Sequence, residues 1–154
     1  MIKNKSVLAI IPARKGSKRL VGKNMLDLKG KPLIAWTIEE ALKSKYIDNI
    51  IISTDDENII NLSKQYKGIN VPFVRPKELS SDKATSLDVV LHALNYYSSN
   101  DKNFDYVMLL QPTSPLRKSK DIDYSIEELS EEVKSVVSVC ETDHSPLWSN
   151  ILPD

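Results

Sequence analysis

Apolar residues along the chain fall into short unbroken runs separated by segments with a helical repeat. Val7-Leu8-Ala9-Ile10-Ile11 is continuous and stops at Pro12, the pattern of a strand buried on both faces. A long polar stretch, Pro12 to Gly30, follows, and Pro32 is placed to open a helix at its favoured first-turn position. Within that helix Ile34, Ile38, Ala41 and Leu42 recur on one face. Asn49-Ile50-Ile51-Ile52-Ser53 predicts a second buried strand, after which Thr54 or Asp55 can cap a helix to about Tyr66. Val71 to Val74 predicts a third strand. Thr85 or Ser86 then caps a helix that places Leu87, Val90, Leu91 and Leu94 on one side. Tyr106 to Leu110 reads as a fourth strand, running into the turn Gln111-Pro112-Thr113-Ser114-Pro115. A helix over 119–132 and a fifth strand over 135–139 complete the series.

Strands and helices in strict alternation imply right-handed crossovers and a mainly parallel sheet covered on both faces. The expected fold class is therefore α/β, three-layer and Rossmann-like, with residues 1–154 as one domain. In such sheets ligands bind at the carboxyl ends of the strands. The long polar segments Pro12–Gly30, Arg75–Ala84 and Gln111–Arg117 should gather on that edge and form the site.

Composition narrows the class of ligand. With 21 Lys and Arg against 21 Asp and Glu, the chain is formally neutral, which argues against a general nucleic-acid binder. The charge is unevenly placed: Met1 to Lys31 holds nine basic residues and one acid, Asp27, while Asp121 to Glu132 holds six acids and no basic residue. One concentrated basic segment in a neutral chain points to a local anionic ligand. The longest apolar runs are far short of the roughly 18 residues of a membrane helix. The single cysteine, Cys140, excludes an intramolecular disulfide and fits a reducing, cytoplasmic setting. Its flanking Val136-Val137-Ser138-Val139 makes it a buried hydrophobe rather than a reactive thiol.

The loop Pro12-Ala13-Arg14-Lys15-Gly16-Ser17-Lys18-Arg19-Leu20-Val21-Gly22-Lys23-Asn24 fits neither common phosphate-cradle motif. Its ingredients still suit a polyphosphate: Gly16 permits a turn that aims N–H groups at an anion, and Arg14, Lys18 and Lys23 supply charge. On physical grounds alone, a solvated basic loop accounts for these residues equally well. Asp55-Asp56 can hold a divalent ion beside phosphates or begin the following helix, and the helix reading is favoured. His92 and His144 show no metal or catalytic spacing; His92 reads as a surface or interface residue.

The string Pro12-Ala13-Arg14-Lys15-Gly16-Ser17-Lys18, with Lys23-Asn24 after it, resembles the N-terminal signature of the acylneuraminate cytidylyltransferases. The resemblance continues collinearly through Gly30 to Ile34 and Ile52 to Asp55. It runs on through Arg75 to Leu79 with Asp82, Ala84, Thr85 and Ser86, and through Leu110 to Arg117. It implies a nucleotidyltransferase of the GT-A-like type that joins CMP, from CTP, to a sialic-acid-type nine-carbon 2-keto sugar, with Mg²⁺ as cofactor. It further implies a homodimer with no nucleic-acid or membrane partner. Carried over by match, Arg14, Lys18 and Lys23 act on the phosphates. Ala13, Gly16, Ser17, Asn24, Arg75, Ala84 (through its backbone) and Ser86 bind the nucleotide, and Gln111 lies where nucleotide and sugar meet.

Thr142 to Leu147, with His144, resembles a segment where sugar contacts arise. The chain stops at Asp154, before the family's proline-asparagine-glycine motif and its metal-binding aspartate pair. The expectation is thus a C-terminally truncated member, with no metal ligands of its own and little activity alone. Two alternatives remain. One is a CMP-Kdo-type transferase, against which Gln111-Pro112-Thr113 stands where an acid is usual. The other is a non-catalytic nucleotide-binding module.

Overall fold

The computed structural model describes residues 5–16, 20–81 and 83–141. Its main sheet has four strands, β1 (Val7–Pro12), β4 (Asn49–Ser53), β5 (Ile69–Asn70) and β6 (Tyr106–Leu109), all parallel in the order β5-β4-β1-β6. β1 lies in the middle, aligning Leu8 with Asn49 and Pro12 with Ser53 on one side and Val7 with Tyr106 on the other. Its side chains alternate between two cores, which is why the sequence shows no polar position along it. Val7, Ala9 and Ile11 join Ile34, Ile38 and Ala41 of α1 (Leu33–Leu42), Ile59 of α2 (Glu57–Ser63) and Ile122 and Ile126 of α4 (Ser119–Glu127). Leu8 and Ile10 pack with Ile51 against Ala93 and Tyr97 of α3 (Ser86–Ser98). The three-layer α/β expectation holds.

Between β1 and α1 the chain makes a two-stranded antiparallel hairpin, β2 (Asp27–Leu28) and β3 (Lys31–Pro32). Lys29 and Gly30 both have positive φ, 52° and 91°, as a type I′ turn requires, so glycine is needed at the second position. The hairpin is fastened to α1. Trp36 Nε1 donates to the Leu28 carbonyl at 3.0 Å, and Lys31 Nζ lies 3.8 Å from the Trp36 ring centroid while pairing with Glu39. Pro32 precedes α1 as its cap rather than entering the first turn.

Four boundaries differ from the sequence expectation. Gly68, at φ 96°, turns the chain so that pairing begins at Ile69, and Pro72, which has no N–H, prevents it continuing; only an isolated bridge between Thr54 and Val74 remains of the expected third strand. Asp56, not Thr54 or Asp55, caps α2, accepting from Asn58 N at 2.9 Å. α4 stops at Glu127, because Glu127, Glu128, Glu131 and Glu132 would place negative charge at the negative end of the helix dipole. The fifth strand is not formed. Val137 and Val139 are 79% and 90% exposed, and Cys140 is exposed with them, so it is not a core residue. A β-prone segment without a neighbouring ladder gains nothing from extension.

Asp105 fixes the entry of β1 to that of β6. Its carboxylate accepts from Lys5 Nζ at 2.9 Å, Ser6 N at 2.8 Å and Ser6 Oγ at 2.9 Å. These bonds, that from Lys5 foremost, stabilise the ionised form and pull Asp105 from 3.8 down to about 2. A lowered carboxylate contributes stability above its unfolded value and loses it as pH falls through the folded one. Melting temperatures recorded by circular dichroism should therefore fall between about pH 4 and pH 2, and Asp105→Asn should remove part of that slope. Identical pH profiles for the two proteins would contradict this assignment.

Candidate functional site

The segments that follow β1, β5 and β6 form three loops that enclose one cleft of about 280 Å³. From the first loop come Pro12, Arg14, Gly16, Lys23 and Asn24. The segment running from Arg75 into α3 contributes Arg75, Leu79, Ser81, Ala84, Thr85, Ser86 and Val89, and the turn after β6 contributes Gln111, Pro112 and Thr113. The three loops expected from the sequence do converge. Among the described residues the lining carries three cationic side chains, Arg14, Lys23 and Arg75, and no carboxylate. It opens at the N-terminus of the 13-residue α3, the end of the helix dipole that favours an anion.

Each loop is held by its own chemistry. Gly22, at φ 63°, supplies the left-handed residue that starts the short 3₁₀ turn Lys23–Met25 and so positions Lys23. Gly16 is not in that conformation, and a Cβ on it would meet nothing within 4 Å. The special turn expected at Gly16 lies at Gly22. Asn24 is buried, and its Nδ2 donates to the Arg14 carbonyl at 3.3 Å, so its amide also holds the loop closed. Arg14 Nη1 donates to the Ser80 carbonyl at 3.3 Å, linking the first loop to the second. Thr85 rather than Ser86 caps α3: Asp88 N donates to Thr85 Oγ1 at 3.2 Å, and Thr85 N donates back to Asp88 Oδ2 at 2.8 Å. Ala84 N points to the Ser81 carbonyl at 3.4 Å.

Arg75 is the unusual cation, since only 5% of it is exposed. Its Nε donates to Ser53 Oγ at 3.0 Å and its Nη2 to the Ser53 carbonyl. Burial pushes its guanidinium down to about 10, with Asp55 opposing that shift and Arg14 reinforcing it; it remains charged at neutral pH.

Of the residues expected to bind, Arg14, Gly16, Lys23, Asn24, Arg75, Ala84, Ser86 and Gln111 all line the cleft. Ala13 does not. It is fully buried, with its N–H bonded to the Ser53 carbonyl at 2.9 Å. Ser17, Lys18, Asp82 and His144 lie outside the described residues. His92 is half-buried, edge-on to Phe73 at 4.5 Å, and is not part of the cleft. Leu79, Ser81 and Thr113 lie within the loops expected to form the site, although not singled out as binding residues; Val89, one helical turn after Ser86, lies outside them and was not anticipated.

Asp56 is committed to the α2 cap, and Asp55 Oδ1 accepts from Lys15 N at 2.8 Å. Among the described residues no three His, Cys, Asp or Glu side chains converge. These residues therefore do not by themselves fit a Mg²⁺ cage.

A family model described as cytidylyltransferase matches residues 8–147. The chain belongs to the cytidylyltransferase family. Among curated members it is 45% identical over 142 residues to the CMP-N,N'-diacetyllegionaminic acid synthase of Legionella pneumophila, a match covering 92% of this chain and 61% of that protein. It is 48% identical over 115 residues to the pseudaminic acid cytidylyltransferase of Campylobacter jejuni, covering 75% of this chain and 49% of that one. This cytidylyltransferase chain thus spans about half to three-fifths of those relatives. A solved CMP:2-keto-3-deoxy-manno-octonic acid synthetase complexed with CTP superposes with a TM-score of 0.64 at 25% identity, covering 79% of this chain and 46% of that one. The nucleotidyltransferase form of the α/β fold follows from that superposition.

Proposed function

We propose that the protein carrying this chain transfers CMP from CTP to a nine-carbon 2-keto sugar acid of the sialic-acid type, releasing pyrophosphate. The observation that carries the reading is the cleft itself, which among the described residues brings three cations, no carboxylate and a helix N-terminus to one sheet edge. A triphosphate needs that charge, and Leu79 and Val89 offer apolar surface for a base.

The anomeric hydroxyl oxygen attacks the α-phosphorus and the bond from that phosphorus to the pyrophosphate oxygen breaks. The hydroxyl proton passes to solvent, and pyrophosphate leaves with the bonding pair. Positioning and electrostatics do most of the work in such a transfer. Arg14 and Lys23, with Lys18 by resemblance, offset the charge that grows on the leaving group. Asn24, Arg75, Ala84 and Ser86 hold the cytidine, and Gln111 meets the sugar.

Mg²⁺ offsets phosphate charge in reactions of this kind. No step here is routed through it, because the described residues form no cage for it. A homodimer acting in the cytoplasm belongs to the same reading; among the described residues no helix is long and apolar enough to cross a membrane. The CMP-Kdo alternative is the weaker one: the likeness there is 25%, against 45% and 48% for the relatives named for nine-carbon acids.

Isothermal titration of the chain with CTP, UTP, ATP and GTP, with and without Mg²⁺, tests the reading. Binding should favour CTP. Equal affinity for all four, or none for any, would remove the assignment.

A further inference from the structure

Ser53 is the last residue of β4, fully buried, and it does not line the cleft. Three bonds nevertheless converge on it. Its carbonyl accepts from Ala13 N at 2.9 Å and from Arg75 Nη2, and its Oγ accepts from Arg75 Nε at 3.0 Å. Ala13 precedes Arg14 in the first loop, and Arg75 opens the second. The neighbouring Thr54 carbonyl accepts from Arg75 N at 2.8 Å, so both the backbone and the side chain of Arg75 are fastened to the end of β4.

The geometry of arginine gives this arrangement a consequence. Nε and Nη2 form one flat side of the guanidinium, and Ser53 fills that side with two neutral oxygens. The plane of the group is thereby fixed, and with it the direction of its other donor edge, Nη1 and the second Nη2 hydrogen. Among the described residues the side-chain hydrogen bonds of Arg75 go to Ser53 and not to a carboxylate, with Asp55 acting on it only electrostatically, so its plane is set by neutral partners. A buried cation held in this way suits a ligand that offers it two adjacent acceptors.

Cytosine has such a pair in N3 and O2. Uracil has O2 but carries a hydrogen on N3, which would face an arginine donor. An oriented guanidinium can therefore separate the two pyrimidines, whereas a swinging one can turn to satisfy either.

We infer that Ser53 is a specificity-positioning residue, whose hydroxyl and carbonyl hold Arg75 side-on so that its opposite edge selects cytosine over uracil. The inference rests on the CTP reading and adds to it a residue that touches no ligand.

Titrating wild type and Ser53→Ala with CTP and UTP tests it. Loss of the Oγ acceptor should reduce the CTP-over-UTP preference by about ten- to a hundredfold, the range for one hydrogen bond to a charged group. Ser53→Thr, which restores a hydroxyl, should recover most of the preference. In an Arg75→Ala background, Ser53→Ala should leave the ratio unchanged, because the two residues act as one unit. A merely structural Ser53 would lower both affinities and the melting temperature together without moving the ratio, and that result overturns the inference.

Arg75→Lys keeps the charge but has no flat side to grip, so it provides the same test if Ser53→Ala does not fold. Its CTP preference should collapse likewise, and a preserved preference overturns the proposal. A wild-type chain without CTP preference would overturn the nucleotide reading as well. A preference present in wild type and intact in Ser53→Ala overturns the positioning role alone.

Discussion

If the proposed transfer is right, replacing Lys23 by alanine in the protein that carries this chain should lower CMP-sugar formation by about two to three orders of magnitude, the usual effect of removing one preorganised electrostatic group from a reaction centre. The melting temperature should hardly change. Lys23 is half-buried at the cleft, and its place in the chain is set by Gly22 and the 3₁₀ turn rather than by bonds of its ammonium group. Lys31 makes the comparison sharp. It belongs to the same basic segment, but its ammonium is held by Glu39 and lies over Trp36. Lys31→Ala should loosen the β2–β3 hairpin and lower the melting temperature while leaving the rate per folded molecule intact. Steady-state pyrophosphate release and thermal melts on both variants decide the matter. Wild-type turnover from Lys23→Ala would end its assignment to the phosphates.

The second large effect is on stability. Ile11→Ala, in the centre of the sheet, should cost about 2–5 kcal/mol, because the neighbours of a fully packed side chain close only partly around the space left. Ile11 has 0% exposure and shares its core with residues from α1, α2 and α4. For a domain of this size the melting temperature should drop by roughly 4–20 °C. Urea unfolding should show an earlier midpoint with an unchanged slope. A loss under about 0.5 kcal/mol, the level of an exposed position, would mean that Ile11 is not the core residue described here.

Much of this architecture could be read from local pattern. An unbroken apolar run can only be satisfied between two covering layers, so β1 and β4 were legible, and the rule that loops gather at the carboxyl edge of parallel strands then located the cleft. The failures have a common cause, which is that the deciding partner lies elsewhere in the chain or in backbone geometry. Nothing around Arg75 in the sequence signals its burial; that comes from Ser53, 22 positions away, which accepts two of its hydrogen bonds. Ala13 sits inside a binding motif, yet its N–H closes the sheet. Val136, Val137 and Val139 have strand composition, but no described strand pairs with them. Glycine identity alone did not distinguish Gly16 from Gly22; only the sign of φ does.

The central position of β1 has a consequence during synthesis. It leaves the ribosome before both of its neighbours, and the second of them, from Tyr106 onward, follows roughly a hundred residues later. At about 5–20 residues per second that is a wait of some 5–20 s with one flank of the strand unclaimed. Until Tyr106 to Leu109 arrive, Gln111 cannot take its place, and the cleft has two walls. A ligand that needs all three walls thus finds its site only after the turn at 111–113 has emerged.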